Sequence, residues 1–194
     1  MAAEETKLGW KKNTMLYIHD LIYLLAVILI VFLLFFRVIV VSGSSMYSTL
    51  LDGDYLLLLS NVFYHEPEQG DIVVISKESF DNGKPIVKRV IATEGQTVDI
   101  DFEQGIVYVD GAALTEDYIN CPTTLEEGTQ FPLTVSEGCI FVLGDNRGVS
   151  LDSRNPAIGL IDEREVLGKA IFLLIPGTHY GLDTQDFDRI GVIK

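Results

Sequence analysis

The hydrophobic pattern divides the chain into one long apolar segment near the N-terminus and a body of short alternating segments. Residues 21–36 carry no charged side chain, and after Arg37 the apolar run continues to Val41. A transmembrane helix needs about 20 apolar residues, whereas the apolar region of a cleavable signal has only about 7–15. We therefore predict a short N-terminal segment, 1–20, followed by a retained, single-pass transmembrane helix over residues 21–41.

Beyond Val41 the pattern changes to short apolar runs separated by turn residues, which is typical of β-strands. The predicted strands cover residues 54–60, 71–77, 85–93, 97–101, 105–114, 139–144 and 165–175. Asp110-Gly111 lies between two apolar runs and predicts a hairpin turn. Because no long helical period follows Val41, residues 42–194 are predicted to form one mainly β domain, an antiparallel sheet or barrel-like structure.

Four consecutive leucines at 56–59 and the apolar residues that lead into Ser42 are unusual for a sheet with one solvated face. Two interpretations remain open at this point. The leucine run is typical of a strand buried on both faces, and it is equally typical of a β surface that rests on a lipid bilayer.

Charge is unevenly distributed along the chain. The formal net charge is −14, of which residues 1–41 contribute +1 and the remainder −15. An acidic body of this kind repels phosphate backbones, which argues against nucleic-acid binding. Lys7, Lys11 and Lys12 precede the apolar segment, and the next lysine or arginine after Arg37 is Lys77. The positive-inside rule therefore predicts a cytoplasmic N-terminus and an extracytoplasmic body.

Cysteines and histidines are too scattered to predict a metal site. Cys121 and Cys139 form no CxxC motif, and His19, His65 and His179 lack the spacing of metal ligands. We therefore expect no metal. In an oxidising compartment the two cysteines could form a disulfide, and the alternative is two unpaired small apolar residues. Each histidine is interpreted as a surface or loop residue rather than a catalytic base.

Three short segments contain residues that could carry out chemistry. The first, SGSSMYSTL at 42–50, places serines beside a glycine, where a hydroxyl can attack a carbonyl and a main-chain N–H can bind the oxyanion. The second, IVKRVIA at 86–92, places Lys88 in an otherwise apolar strand. Poor hydration there would lower the pKa of the amine and make it a general base. The alternative is a charged lysine without a catalytic role, on the solvent side of an edge strand.

The third segment, GDNRGVSLDSR at 144–154, is dense in charged and polar residues and follows an apolar strand. Such a composition is typical of a solvated turn. It is also typical of an ordered network of charge-assisted hydrogen bonds that braces a site.

These three segments, in this order behind an N-terminal apolar helix, resemble type I signal peptidase, and short insertions between them resemble its Gram-positive members. The likeness includes GDIVVI at 70–75 and extends to GKAIFLLIP at 168–176. It implies a plasma-membrane serine protease with a Ser/Lys dyad, a hydrolase without a cofactor that processes signal peptides in protein secretion. Its partners would be the lipid bilayer and preproteins with small residues, typically alanine, at positions −1 and −3.

The resemblance also implies roles for individual residues. Ser45, immediately before Met46, matches the nucleophile, and Lys88 matches the general base. Met46 is expected to help line the substrate pocket, and Ser150 to hydrogen-bond and orient the Lys88 amine. The expected bracing ion pairs are Asp152 with Arg154 and Asp145 with Arg89.

Two positions depart from the family pattern. Ser48 stands where proline is usual, so we expect a less rigid turn and lower stability or slower turnover. Gly43 stands where some members have a serine that assists the oxyanion hole, so the Ser45 N–H is expected to do most of that work. The alternative interpretation is a catalytically impaired, membrane-anchored β binding module of the same fold.

Overall fold

The computed structural model describes residues 2–178 and 184–193, and the chain divides into two compact units between Phe36 and Arg37. The N-terminal unit is one helix, α1 (Ala2–Phe35), whose segment Asn13–Phe35 is long and apolar enough to cross a membrane.

Helix α1 ends before the predicted boundary at Val41, because the next residues form strand β1 (Phe36–Val40). The run from Val38 to Val41 is β-branched throughout, a composition that favours strand. The helix prediction was therefore wrong for these last residues. The assignment of residues 1–20 to the cytoplasm and of 21–41 to the bilayer stays a prediction.

The second unit is built from short strands with irregular connections. The strands that follow β1 are β2 (Tyr55–Ser60), β3 (Ile72–Ile75), β4 (Ile86–Ala92), β5 (Thr97–Asp101), β6 (Ile106–Val109), β7 (Ala112–Ala113), β8 (Leu133–Thr134), β9 (Cys139–Leu143), β10 (Ile161–Asp162), β11 (Val166–Ile175) and β12 (Gly191–Val192).

These strands form two antiparallel sheets. The larger sheet has the order β1-β2-β11-β3-β4-β9-β10, with β12 paired to β11, and the smaller has the order β7-β6-β5-β8. Buried side chains of β4 and β9 pack against those of β5 and β6, so one apolar cluster joins the two sheets. The predicted mainly β, antiparallel fold behind one N-terminal apolar helix is confirmed.

All seven predicted strand segments contain strand, and the segment 105–114 is the β6–β7 hairpin. Asp110 (φ 52°) and Gly111 (φ 79°) are both left-handed at its turn, as a two-residue hairpin of this type requires. Strands β8, β10 and β12 were not predicted because each has only two residues, too few to give an alternating pattern.

The leucine run lies on β2, where burial alternates. Leu56 and Leu58 are fully buried in the core, while Leu57 and Leu59 are half-buried. The run is therefore a core strand. On neighbouring β1, Val38 and Val40 remain about half exposed, at 51% and 50%, so contact of this edge with a bilayer stays a prediction.

Candidate active site

Residues 42–50, the first of the three segments with candidate chemistry, form a tight turn directly after β1. Gly43 has a φ of 93°, a conformation that favours glycine, and its N–H donates to Asp52 Oδ1 at 2.7 Å. The Leu50 N–H donates to Met46 O at 2.8 Å. Met46 and Leu50 are both fully buried, so the core fixes the part of the turn that follows Ser45, while Ser45 itself stays partly exposed.

Met46 does not occupy the position that the sequence predicted. Its side chain has no exposed surface and packs among Leu56, Leu58 and Ile72 in the core. It is not among the residues that line the cavity beside Ser45. Its apolar side chain is better accommodated in the core, and it therefore supports the Ser45 turn from the core side.

Lys88 lies beside the serine turn because of its position in the sheet. Strand β4 is paired on both sides, to β3 and β9, which excludes the interpretation of Lys88 as a charged residue on an edge strand. The Lys88 Nζ atom lies 2.9 Å from Ser45 Oγ, and only 3% of the lysine is exposed. A buried amine and one serine hydroxyl are therefore in direct contact.

Burial also changes the protonation of this amine. Loss of hydration disfavours the ammonium form and lowers the pKa of Lys88 from 10.5 to about 8. The carboxylates of Asp152, Asp145 and Glu127 oppose that change without cancelling it. A usable fraction of the amine is consequently neutral near physiological pH, as a general base requires.

The predicted hydrogen bond between Ser150 and Lys88 is not formed. Lys88 Nζ instead bonds Ser45 Oγ and, at 3.1 Å, Val87 O. Ser150 Oγ is buried and has no hydrogen-bond partner among the described residues. It lies against the Cα of Gly144, where any side chain on Gly144 would overlap it. Ser150 therefore packs against Gly144 in this structure, and its role in orienting the Lys88 amine stays a prediction.

Both expected ion pairs are formed and are inaccessible to solvent. Arg89 donates from Nε and Nη2 to Asp145 at 2.9 and 2.7 Å, and Arg154 donates from Nε and Nη2 to Asp152 at 2.8 and 2.9 Å. Paired donors of this kind fix the direction of a carboxylate. Asp145 also accepts from Thr49 Oγ1 at 2.5 Å, so the first pair is tied to the serine turn. The bracing role of both pairs stays a prediction.

A third buried arginine was missed by the sequence interpretation. Arg147 is fully buried, and its Nη1 and Nη2 atoms donate to Glu116 at 3.0 and 2.5 Å. Nη1 also donates to Thr123 Oγ1 at 2.6 Å. The only signal for this role was the density of charge in the third segment, which does not identify a partner that lies far away in sequence.

Partners for all three arginines come from residues 116–127, in the connection between β7 and β8, which we call the covering loop. Besides the Arg147 contacts, the ring of Tyr118 lies 3.9 Å from the guanidinium carbon of Arg89. Glu127 Oε1 lies 3.3 Å from Arg154 Nη2. The smaller sheet therefore contributes directly to the surroundings of Ser45 and Lys88.

A cavity of about 330 Å³ opens beside the Ser45–Lys88 pair. It is lined by residues 39–42 on one side and by residues 84–87, at the start of β4, on the other. Most of these lining residues are apolar, with Ser42 and Lys84 as the polar exceptions, and two flanking segments of this kind suit an extended peptide.

The remaining sequence expectations concern cysteines, histidines and metals. Cys121 and Cys139 are both free thiols in the structure. His19 lies on α1, His65 lies in a loop, and His179 lies outside the described residues. The described part of the chain contains no cluster of His, Cys, Asp and Glu suited to a metal ion.

Comparison with known proteins gives consistent matches. The family model described as "Signal peptidase, peptidase S26" matches residues 14–175. A signal peptidase I of Bacillus amyloliquefaciens is 37% identical over 73% of this chain and 75% of its own. Signal peptidase I T of Bacillus subtilis is 36% identical over 88% and 86%. The probable signal peptidase I-1 of Synechocystis is 35% identical over 73% and 72%.

A solved structure is also similar in sequence. The signal peptidase I of Enterococcus faecalis V583 is 34% identical and covers 54% of this chain and 96% of its own, with a TM-score of 0.44.

Proposed function

This chain belongs to the signal peptidase family, peptidase S26, and from that premise we propose that it is a membrane-bound serine endopeptidase that cleaves signal peptides from exported preproteins. The observation that carries the proposal is the 2.9 Å separation of Lys88 Nζ and Ser45 Oγ beside an open cavity. A lysine amine with a pKa near 8 is one of the few groups that can deprotonate a serine in place of histidine.

In the proposed mechanism, neutral Lys88 accepts the proton of Ser45 as Oγ attacks the scissile carbonyl. The Ser45 N–H stabilises the resulting oxyanion, an interaction worth about 3 kcal/mol per donor. Lys88 then returns the proton to the leaving amine as the peptide bond breaks. Water, deprotonated by the same amine, hydrolyses the acyl-enzyme and regenerates Ser45. No step needs a metal or a cofactor.

Substrate binding is proposed in the cavity between residues 39–42 and 84–87. An extended peptide directs alternate side chains to the same side, so positions −1 and −3 of a precursor would both face this cavity. The preference for small side chains at these two positions is what the family resemblance implies.

Helix α1 is proposed to anchor the enzyme in the plasma membrane as a single span, with the N-terminus in the cytoplasm and the β body outside. A preprotein is held in the same membrane by the apolar part of its signal peptide. Confining both molecules to one membrane raises their effective concentration.

The proposal is tested on the purified full chain in detergent, with a preprotein as substrate. We expect Ser45→Ala and Lys88→Ala each to abolish cleavage, because each removes one of the two reacting groups. Ser79→Ala, at an exposed turn serine away from the cavity, is the matched control and should cleave normally. Undiminished cleavage by either site variant would overturn the assignment. Precursor binding without cleavage by the wild type would support the binding-module alternative.

A further inference from the structure

The orientation of the Ser45 N–H, the proposed oxyanion donor, depends on the peptide unit between Ser44 and Ser45. The N–H of Ser45 and the C=O of Ser44 belong to the same planar peptide, which is trans. In a trans peptide the two groups point in opposite directions. Whatever holds the Ser44 oxygen therefore sets the direction of the Ser45 N–H.

Asn146 holds that oxygen. Its side-chain Nδ2 donates to Ser44 O at 3.0 Å, and its own main-chain N–H donates to Ser45 O at 3.0 Å. One residue thus binds the carbonyls on both sides of the Ser45 main-chain N–H. Asn146 is only 8% exposed, so water does not readily replace these bonds. The Tyr47 N–H also donates to Ser44 O, at 3.1 Å, within the turn itself.

The amide of Asn146 faces Ser44 O with its nitrogen, because a carbonyl oxygen accepts a hydrogen bond only from a donor. The amide oxygen is then left as an acceptor. Asn120 Nδ2 donates to Asn146 Oδ1 at 2.9 Å, so both ends of the Asn146 amide are hydrogen-bonded. Asn120 belongs to the covering loop, so the smaller sheet reaches the nucleophile through these two side chains.

We propose that Asn146 is a positioning residue that aims the Ser45 N–H at the oxyanion, and that Asn120 supports the Asn146 amide in this orientation. The inference rests on the proposed function, since it concerns the transition state of the same reaction. Neither asparagine touches the reacting atoms. Their effect is on an interaction that strengthens as the oxyanion forms, so it should appear in kcat more than in KM.

The first experiment compares kinetics on a precursor peptide, with the full chain in detergent. We expect Asn146→Ala to lower kcat by about tenfold or more, part of the loss seen when an oxyanion donor is removed entirely. KM should change by less than about twofold. Asn61→Ala, at an asparagine near a separate surface cavity, is the matched control and should leave both constants unchanged.

A pair of inhibitors separates orientation from general structural damage. A precursor-derived peptide ending in an aldehyde adds the Ser45 hydroxyl across its C=O and places the resulting oxygen where the oxyanion forms. The same peptide ending in a carboxamide binds without that step. In Asn146→Ala we expect the affinity for the aldehyde to fall by about the same factor as kcat. The affinity for the carboxamide should be retained.

Asn120 provides a second variant that does not depend on the folding of Asn146→Ala. In Asn120→Asp a carboxylate faces Asn146 and accepts from its Nδ2, which turns Oδ1 toward Ser44 O and repels it. We expect kcat and aldehyde affinity to fall more than in Asn120→Ala, which only removes the contact. Because Asn120 is exposed, both variants should unfold at the wild-type temperature.

The outcomes distinguish the two proposals. If the wild type cleaves the precursor and Asn146→Ala keeps the wild-type kcat, the orienting role is wrong and the peptidase assignment stands. The same conclusion follows if Asn146→Ala lowers the affinities for the aldehyde and the carboxamide equally. If the wild type cleaves nothing, the peptidase assignment fails and this inference fails with it.

Discussion

Lys88 is a residue whose chemistry depends on where the sheet places it. On the strand between β3 and β9 its amine is almost completely buried, and burial lowers its pKa to about 8 from an ordinary 10.5. Below that pKa the amine is protonated and cannot accept the Ser45 proton. We therefore expect kcat/KM for a precursor peptide to rise with pH and level off above an apparent pKa near 8.

The measurement is a pH–rate profile of the full chain between about pH 6 and 10. Because kcat/KM reports the free enzyme, its acidic limb reports the lysine before substrate binds. A limb near 10.5, the ordinary lysine value, would contradict the prediction and with it the role assigned to burial.

Single residues were predictable where their type alone restricted the chemistry. A lysine inside an apolar strand was visible as Lys88, but Ser45 was singled out among the serines near Gly43 only by the family resemblance, and the contact between the two residues was not visible. The burial of the Met46 side chain was not predictable, because residues in a turn have no regular periodicity that would indicate which side chains enter the core. Asn146 was missed because its partner Ser44 lies 102 positions away. Polar residues in a charged segment look solvated until such a contact is known.

At the level of elements, the pairing of β2 with β11 depends on a single glycine. Gly168 lies opposite Ser60, and a Cβ at Gly168 would overlap the main-chain oxygen of Leu59. A backbone atom within a sheet cannot move aside as a side chain can. We expect Gly168→Ala to force the two strands apart and to lower the free energy of unfolding by about 3 kcal/mol.

Gly191 provides the control for that prediction, because it lies on the neighbouring strand β12 and a Cβ there meets nothing within 4 Å. Urea unfolding of both variants, followed by circular dichroism, gives the comparison. Equal midpoints for Gly168→Ala and Gly191→Ala would show that the contact at Leu59 carries no cost.

Elements were predicted well where apolar residues alternate or where a turn has its own signature, as at Asp110-Gly111. Strand β1 was the main failure. Its residues continue the apolar run of α1, and hydrophobicity alone does not mark the change from helix to strand. The β-branched composition of residues 38–41 was the available signal.

At the level of the whole molecule, the distribution of charge predicts how the chain is inserted. Lys7, Lys11 and Lys12 precede the apolar helix, and the rest of the chain is strongly acidic. We expect the β body to be degraded when protease is added to intact spheroplasts and to be protected in inverted membrane vesicles. Detergent should remove the protection in the vesicles. Degradation in the vesicles and protection in the spheroplasts would reverse the proposed orientation.

The covering loop limits how far this scaffold could be shortened. Trimming the smaller sheet to obtain a minimal enzyme would leave Arg89, Arg147 and Arg154 with fewer partners. Breaking one buried ion pair costs about 3–5 kcal/mol, and a typical domain has only about 5–15 kcal/mol of stability in total. Attempts at miniaturisation should therefore begin at exposed turn residues such as Glu78 and Ser79 and leave the covering loop at its natural length.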